Sequence, residues 1–487
     1  MTEQSIRSNV RPFAVSAAMP WLVGAGVYLL LLALAPKLLN DPDTYWHVTV
    51  GRWILAHGTV PTADPFSFTM HDRHWITFEW LSEVAYAAAL TVAGWRGVAI
   101  LAAAAIALAF GLLARFLMRR LPPVAVLLLI VASLAILAPH LLARPHVLVL
   151  PVMVAWASAL VDRMDRRAGP PYAALPLLVL WANLHGSVIV GLGLIGPAVI
   201  EALLDPQRQG KHWRIVRQWT LFAGLAVAAA CITPYGAGPL LAPLKTLGLG
   251  HALQTIMEWR PQDFSRPGAF ELVLLLGIFA LSRGVRLPPV RALVLIGLLH
   301  FALAQTRNAD LLAMLAPFYL AAPLALQFKP RNPADGAPRA PAHIVGLGIA
   351  AVAACATIVA LRQPIAPDAR ITPQAAVQAA GLAHAGPVLN DYAFGGYLIY
   401  AGIAPFIDGR GELYGGQFIE RQSRAVSLAN LPDFLKLLDQ YHIEATLLTP
   451  ETPAVALLDR LPGWQRVYSD GVAVVHKRRM AAPRDGG

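Results

Sequence analysis

Apolar runs close to the roughly 20 residues an α-helix needs to cross a bilayer core recur along the first three quarters of this chain. They fall near residues 20–39, 97–118, 122–139, 147–161, 172–184, 188–204, 219–233, 270–282, 292–304, 311–327 and 344–361, which makes about eleven crossings. A chain built this way folds as a helical bundle, because lipid leaves each backbone polar group to be satisfied inside its own helix. Composition agrees. Of 487 residues 57% are hydrophobic and 14% charged, against roughly a quarter charged in a soluble domain, and this excludes a soluble enzyme.

The formal charge of +11 would suggest a nucleic-acid partner in a soluble chain. In a membrane protein, basic residues instead collect in loops retained on the cytoplasmic side, so no nucleic acid is implied. Cys231 and Cys355 both lie inside apolar runs, which leaves no disulfide framework and no paired-cysteine metal or redox motif.

Arg7 and Arg11 precede the run 20–39, and Ala33 and Ala35 mimic a signal-peptide cleavage site. Pro36 follows directly, however, and the run is longer than the usual core of about 7 to 15 residues. An uncleaved first helix with a cytoplasmic N-terminus is expected. Residues 78–94 are a further apolar stretch interrupted by Glu79 and Glu83. Laid in the interface as an amphipathic helix, it puts the basic clusters Arg115, Arg119, Arg120 and Arg163, Arg166, Arg167 inside. Those around Lys211, Arg214, Arg217, around Arg283, Arg286, Arg291, and around Lys329, Arg331, Arg339 follow. The same parity makes 172–204 two short passes, with the polar turn Asn183-Leu184-His185-Gly186-Ser187 sunk below the outer surface. Irregular backbone at that depth must face protein or a wet cavity. Gly191 to Gly196 matches GxGxxG, but inside an apolar segment it reads as close helix packing, since the strand and acidic partner of a dinucleotide site are missing.

The fold expected is therefore a polytopic α-helical membrane domain over residues 1–362, with a first external loop at 40–96 and a Pro-rich cytoplasmic linker at 332–341. A small soluble extracytoplasmic α/β domain follows over 363–487. Strands are expected at 388–389, 405–407, 445–448 and 472–475, and helices at 431–441 and 453–461.

With this topology the scarce polar clusters sort to the outer rim. They are Asp41, Asp43 and His47 after the first helix, Glu79, Arg144 with His146, Asn183 with His185, Thr233 to Gly236, Glu258, and Arg307 with Asn308. Two carboxylates at a helix end repel and are partly desolvated unless a cation, metal or proton compensates them. One of them is also placed to cap an interfacial helix from Thr44 to His57. Arg144 and His146 suit a phosphate held at the bilayer surface, or an ordinary loop end that snorkels. Glu79, Glu258 and Arg307 suit the same pocket or salt bridges between outer loops. In the outer domain, Asp408 and Arg410 suit a polar ligand or an internal ion pair in a Gly-rich turn.

The acidic pair, the following Tyr45 to Gly51, interfacial helices in the same loop, about a dozen helices and a C-terminal outer domain together resemble the GT-C superfamily of polytopic membrane glycosyltransferases. Protein O-mannosyltransferases and bacterial lipid A aminoarabinose transferases belong to that superfamily. The resemblance implies a bacterial inner-membrane enzyme that moves a sugar from a polyprenyl-phosphate donor to an extracytoplasmic lipid, glycan or protein acceptor with inversion. It makes Asp43 the catalytic carboxylate and Asp41 the second choice. His47, Glu79, Arg144, His146, Asn183, His185, Glu258 and Arg307 become candidates for binding substrate and phosphate. In one respect the chain departs: several relatives carry another acidic residue in the next external loop, whereas residues 139–146 offer only His140, Arg144 and His146. A divalent metal is neither required nor excluded. A lipid or solute transporter, or a noncatalytic envelope scaffold, are the rival classes.

Overall fold

Leucine, alanine and valine dominate the apolar runs, and where they do the chain closes its backbone hydrogen bonds within helices. The computed structural model describes residues 18–208, 210–241, 248–250, 257–327 and 342–479. The linker 332–341 and the flanking Arg7, Arg11, Lys329, Arg331 and Arg339 lie outside the described residues. Two compact units emerge. One comprises Met1–Leu38, Ala99–Leu240 and Met257–Gln363; the other comprises Leu39–Val98, Leu241–Ile256 and Pro364–Gly487.

Among the described residues, five helices are long and apolar enough to cross a membrane: Trp80–Met118, Pro123–His140, Pro145–Asp165, Thr306–Leu326 and His343–Arg362. Shorter apolar helices span Met19–Ala33, Tyr172–Leu184, Val188–Leu204, Ala269–Ser282 and Pro289–Ala304. Trp80–Met118 joins two stretches expected to be separate. The join is a break at Ala93 and Gly94, where Gly94 takes φ +63°, a left-handed conformation that costs glycine little.

In the first unit, charged side chains at helix ends pair across the bundle. Arg291, only 4% exposed, bonds Asp165 at 2.7 Å and Glu201 at 3.0 and 3.1 Å. Arg120 bonds Asp162 at 3.0 Å and Asp165 at 2.9 Å. The basic residues expected only to orient the chain thus also tie its helices together. The polar turn Asn183–Ser187 is closed by hydrogen bonds of its own and to Trp181. Trp181 Nε1 donates to Ser187 Oγ at 2.9 Å, and the Ser187 amide donates to His185 Nδ1 at 3.0 Å.

The second unit carries a four-stranded sheet in the order β1-β2-β4-β3. The strands are β1 (Val388–Asn390), β2 (Ala445–Leu448), β3 (Trp464–Ser469) and β4 (Val474–Arg478). β1 and β2 run parallel, with Leu389 opposite Thr446; β4 lies antiparallel to both β2 and β3. Residues 405–407, expected as a strand, contribute only one isolated bridge from Pro405 to Val388. Helices Leu431–Gln440 and Pro453–Leu458 stand where they are expected.

Residues of the loop 40–96 enter the core of this unit. Met70 is buried with Leu389, Phe406, Phe434 and Leu448, and Phe68 packs against the same cluster. Thr69 Oγ1 donates to the Phe406 carbonyl at 2.7 Å, and Trp75 Nε1 donates to Glu412 at 3.2 Å. A second cluster joins Trp46, Val50, Ile54 and Trp75 to Ile399. The loop and the C-terminal segment therefore fold as one body.

Candidate active site

Asp41 and Asp43 flank Pro42 at the start of the helix Asp43–His57. Pro42 cannot offer a capping side chain, and the Asp43 amide donates instead to Asp41 Oδ1 at 2.9 Å. Asp41, one residue before the N-cap Pro42, is 1% exposed; Asp43 is half-buried in the first turn, where a negative charge is favoured by the helix dipole. The two acids are thus unlike each other in setting.

One turn on, His47 is buried against Glu79 and Glu83. Its Nδ1 lies 3.3 Å from Glu83 Oε1 and 3.8 Å from Glu79 Oε2. Thr77 Oγ1 donates to the other Glu83 oxygen at 2.7 Å. Burial pushes the imidazole pKa down, but the Glu83 hydrogen bond and the charges of Glu79, Glu83 and Asp43 outweigh it and hold it above the usual value. The ligand atoms of His47, Glu79 and Glu83 lie within 4.8 Å of one another. One imidazole nitrogen and two carboxylates, with Thr77 orienting one of them, are a donor set that suits zinc or manganese. Glu83 joins this group although sequence reading assigned it no role. It lies in the first turn of the helix Trp80–Met118, and its amide donates to the carbonyl of Glu79, just before that helix, at 3.1 Å.

The first unit holds a second cluster. Arg144 precedes the helix Pro145–Asp165, Glu258 sits in the turn Met257–Trp259, and Arg307 in the turn Thr306–Asn308. Arg144 donates to Glu258 Oε2 at 2.5 Å and Arg307 to Glu258 Oε1 at 3.2 Å. The Arg307 guanidinium also lies over the Trp259 ring, 4.3 Å from its centroid. Burial raises the Glu258 pKa, but the two guanidiniums overcome it and bring the carboxyl down to about 2. Two cations share one carboxylate, so the trio keeps a net positive charge, as phosphate binding needs.

His146 Nε2 lies 3.0 Å from the His140 carbonyl and 3.6 Å from Asp310 Oδ2. Asp310 Oδ1 is buried with no hydrogen-bond partner. Sequence reading missed Asp310, whose only signal is a lone acid just before an apolar run. Asn183 donates to the carbonyls of Val179 at 2.7 Å and Ile232 at 2.9 Å. With the His185–Ser187 pair, this gives the polar turn internal partners.

Asp408 and Arg410 do not form an open ligand site. Both are 0% exposed. Arg410 is clamped by Asp408 at 2.7 and 2.8 Å and by Asp64 at 2.6 Å, and it lies over the Trp75 ring at 4.7 Å. Tyr414 donates to Asp408 at 2.6 Å. Of the two readings the sequence leaves open, a polar-ligand turn and an internal ion pair, the buried turn holds the ion pair.

No known protein-family profile matches the chain, and no curated protein matches it by sequence. Solved structures do match in fold. The archaeal oligosaccharyltransferase AglB from Archaeoglobus fulgidus, in complex with an inhibitory peptide and a dolichol-phosphate, aligns with a TM-score of 0.53 and 12% identity. That alignment covers 88% of this chain and 69% of AglB. ArnT from Cupriavidus metallidurans, bound to undecaprenyl phosphate, aligns at 0.50 with 16% identity, covering 94% of this chain and 98% of ArnT. Its apo form gives the same score and identity over 95% and 98%. The chain therefore has the fold of the GT-C membrane glycosyltransferases.

Proposed function

We propose that this protein is a membrane glycosyltransferase that moves a sugar from a polyprenyl-phosphate donor to an extracytoplasmic lipid, glycan or protein acceptor. The observation that carries the reading is the different setting of the two acids: Asp41 is buried and accepts the Asp43 amide, while Asp43 stands half-buried in the first turn of the helix. A carboxylate so placed can take the proton from an acceptor hydroxyl as that oxygen attacks the anomeric carbon, a role worth roughly 10² to 10⁴ in rate. The carbon–oxygen bond to the phosphate breaks as the new one forms, so a single displacement inverts the anomeric centre. Negative charge grows on the departing polyprenyl phosphate. The Arg144–Glu258–Arg307 trio of the first unit has the charge to bind a phosphate. That AglB and ArnT have been solved with dolichol-phosphate and undecaprenyl phosphate supports a lipid-linked donor of the same class.

Under this proposal about eleven helices of residues 1–362 cross the bacterial cytoplasmic membrane. The N-terminus is inside; the loop 40–96 and residues 363–487 are outside. His47 and Glu79 stand on the segment that carries Asp43, and His146, Asn183 and His185 are binding candidates within the first unit. A divalent cation bound by His47, Glu79 and Glu83 would add positive charge near the acidic loop.

The test is reconstitution of the purified protein in proteoliposomes with a panel of undecaprenyl-phosphate-linked pentoses and hexoses. Release of undecaprenyl phosphate and an inverted product by mass spectrometry and NMR are expected. Movement of a lipid or solute across the bilayer without sugar transfer would overturn the proposal in favour of a transporter.

A further inference from the structure

The C-terminal segment presses two glycines against the start of the helix that carries Asp43. A β-carbon on Gly409 would collide with Asp43 Oδ1 and come within 3.0 Å of Trp46 Nε1. One on Gly396 would lie 2.5 Å from the Pro42 carbonyl oxygen and 3.3 Å from Trp46 Cδ1. Neither glycine has the left-handed backbone that would itself call for glycine, so contact is the reason a side chain is excluded at both. Trp46 is 7% exposed and its indole nitrogen has no hydrogen-bond partner; packing alone holds the ring in place.

The turn that bears Gly409 is rigid. Its neighbours Asp408 and Arg410 are locked to each other and, through Arg410, to Asp64 of the loop 40–96. The Arg410 amide also donates to Asp408 Oδ1 at 3.0 Å, and the guanidinium rests over Trp75 and Phe66. This network is anchored on both segments, and its one residue without a side chain lies against the Asp43 carboxylate.

The geometry points to Gly409 as a positioning residue for Asp43: the Asp64–Arg410–Asp408 clamp holds the Gly409 backbone as a stop that fixes the carboxylate's rotamer. Gly396 sets the backbone beneath it. This rests on the reading of Asp43 as the base, and it assigns the C-terminal segment a part in aiming that base. Reacting groups must be held within about 0.5 Å, and a displacement of about 1 Å costs on the order of 100-fold in rate.

The experiment is a double-mutant cycle in the full-length protein with two readouts. In the first, thermal unfolding is measured for wild type, Gly409→Ala, Asp43→Ala and the double variant. The loss of unfolding temperature caused by Gly409→Ala is expected to be at least halved when Asp43 is already alanine, about a twofold effect well outside simple additivity. If Gly409→Ala alone fails to fold, Asp43→Ala should restore folded yield. Equal losses in both backgrounds, or no restored yield, would overturn the proposal.

In the second, sugar transfer from the same undecaprenyl-phosphate panel is followed. Gly409→Ala is expected to lower kcat about 100-fold, with donor KM changed less than about twofold, and to lower nothing further in an Asp43→Asn background. Failure of the two readings is distinguishable. Full activity in Asp43→Asn would remove the base reading while the unfolding cycle still reports on the contact. An inactive Asp43→Asn beside a folded, fully active Gly409→Ala would remove the positioning role alone.

Discussion

The Asp43 backbone amide donates a hydrogen bond to the carboxylate of Asp41, two residues earlier and 2.9 Å away. This bond separates two acids that look equivalent in the sequence. Asp41 accepts a helix-start donor, whereas Asp43 belongs to the helix itself and its carboxylate lies against Gly409.

Asp41→Asn keeps an oxygen acceptor for that amide and should retain most sugar-transfer activity. Asp41→Ala removes it and should cost about 0.5–2 kcal/mol of stability, the usual cost of losing a side-chain acceptor at a helix start. Thermal unfolding of both variants, with transfer assays in the same preparation, checks the ranking.

Arg410→Met should be among the most destabilising single changes in the second unit. It leaves Asp64 and Asp408, both fully buried, without their cation, and breaking a buried ion pair from one side costs about 3–5 kcal/mol. Protease resistance and unfolding temperature should fall together. Arg410→Lys should recover part of the loss, because a single ammonium keeps the charge but not the fork that holds Asp408 at two points.

The Glu258 carboxyl is held down to about 2 by Arg144 and Arg307. A carboxylate with a depressed folded-state pKa contributes stability that is fully present above its unfolded value, 4.5 here, and that is lost as pH falls through the folded value. Wild type should therefore exceed Glu258→Gln in unfolding temperature at pH 6. The gap should narrow from about pH 4.5 downward and close near pH 2. Melting curves of both proteins across that range check the sign.

Much of the architecture was legible in the sequence because apolar length and turn chemistry are local signals. The apolar runs mark the helices, and 445–448 reads as a strand because all four residues of β2 are buried. β3 was missed because most of its residues face outward, which leaves a polar sequence with no apolar run. Asp43 could be picked out because an acid just past an apolar run is conspicuous, and Glu258 because charged residues are only 14% of the chain. Asp310 could not, since a lone acid bordering such a run does not announce its partners, and the basic cluster that ends at Arg291 did not announce its acidic ones. The Asp64–Arg410 pair joins residues 346 positions apart, a separation at which no spacing rule operates. Its closure by the fold is what turns Asp408 and Arg410 from ligand candidates into a clamp.

The most direct test of the central claim compares Asp43→Asn with Asp41→Asn in reconstituted membranes, by single-turnover transfer from an undecaprenyl-phosphate-linked sugar. Loss of roughly 10² to 10⁴ in rate for Asp43→Asn alone, with unfolding temperature unchanged, is the result expected. Wild-type turnover by a folded Asp43→Asn protein would contradict the account.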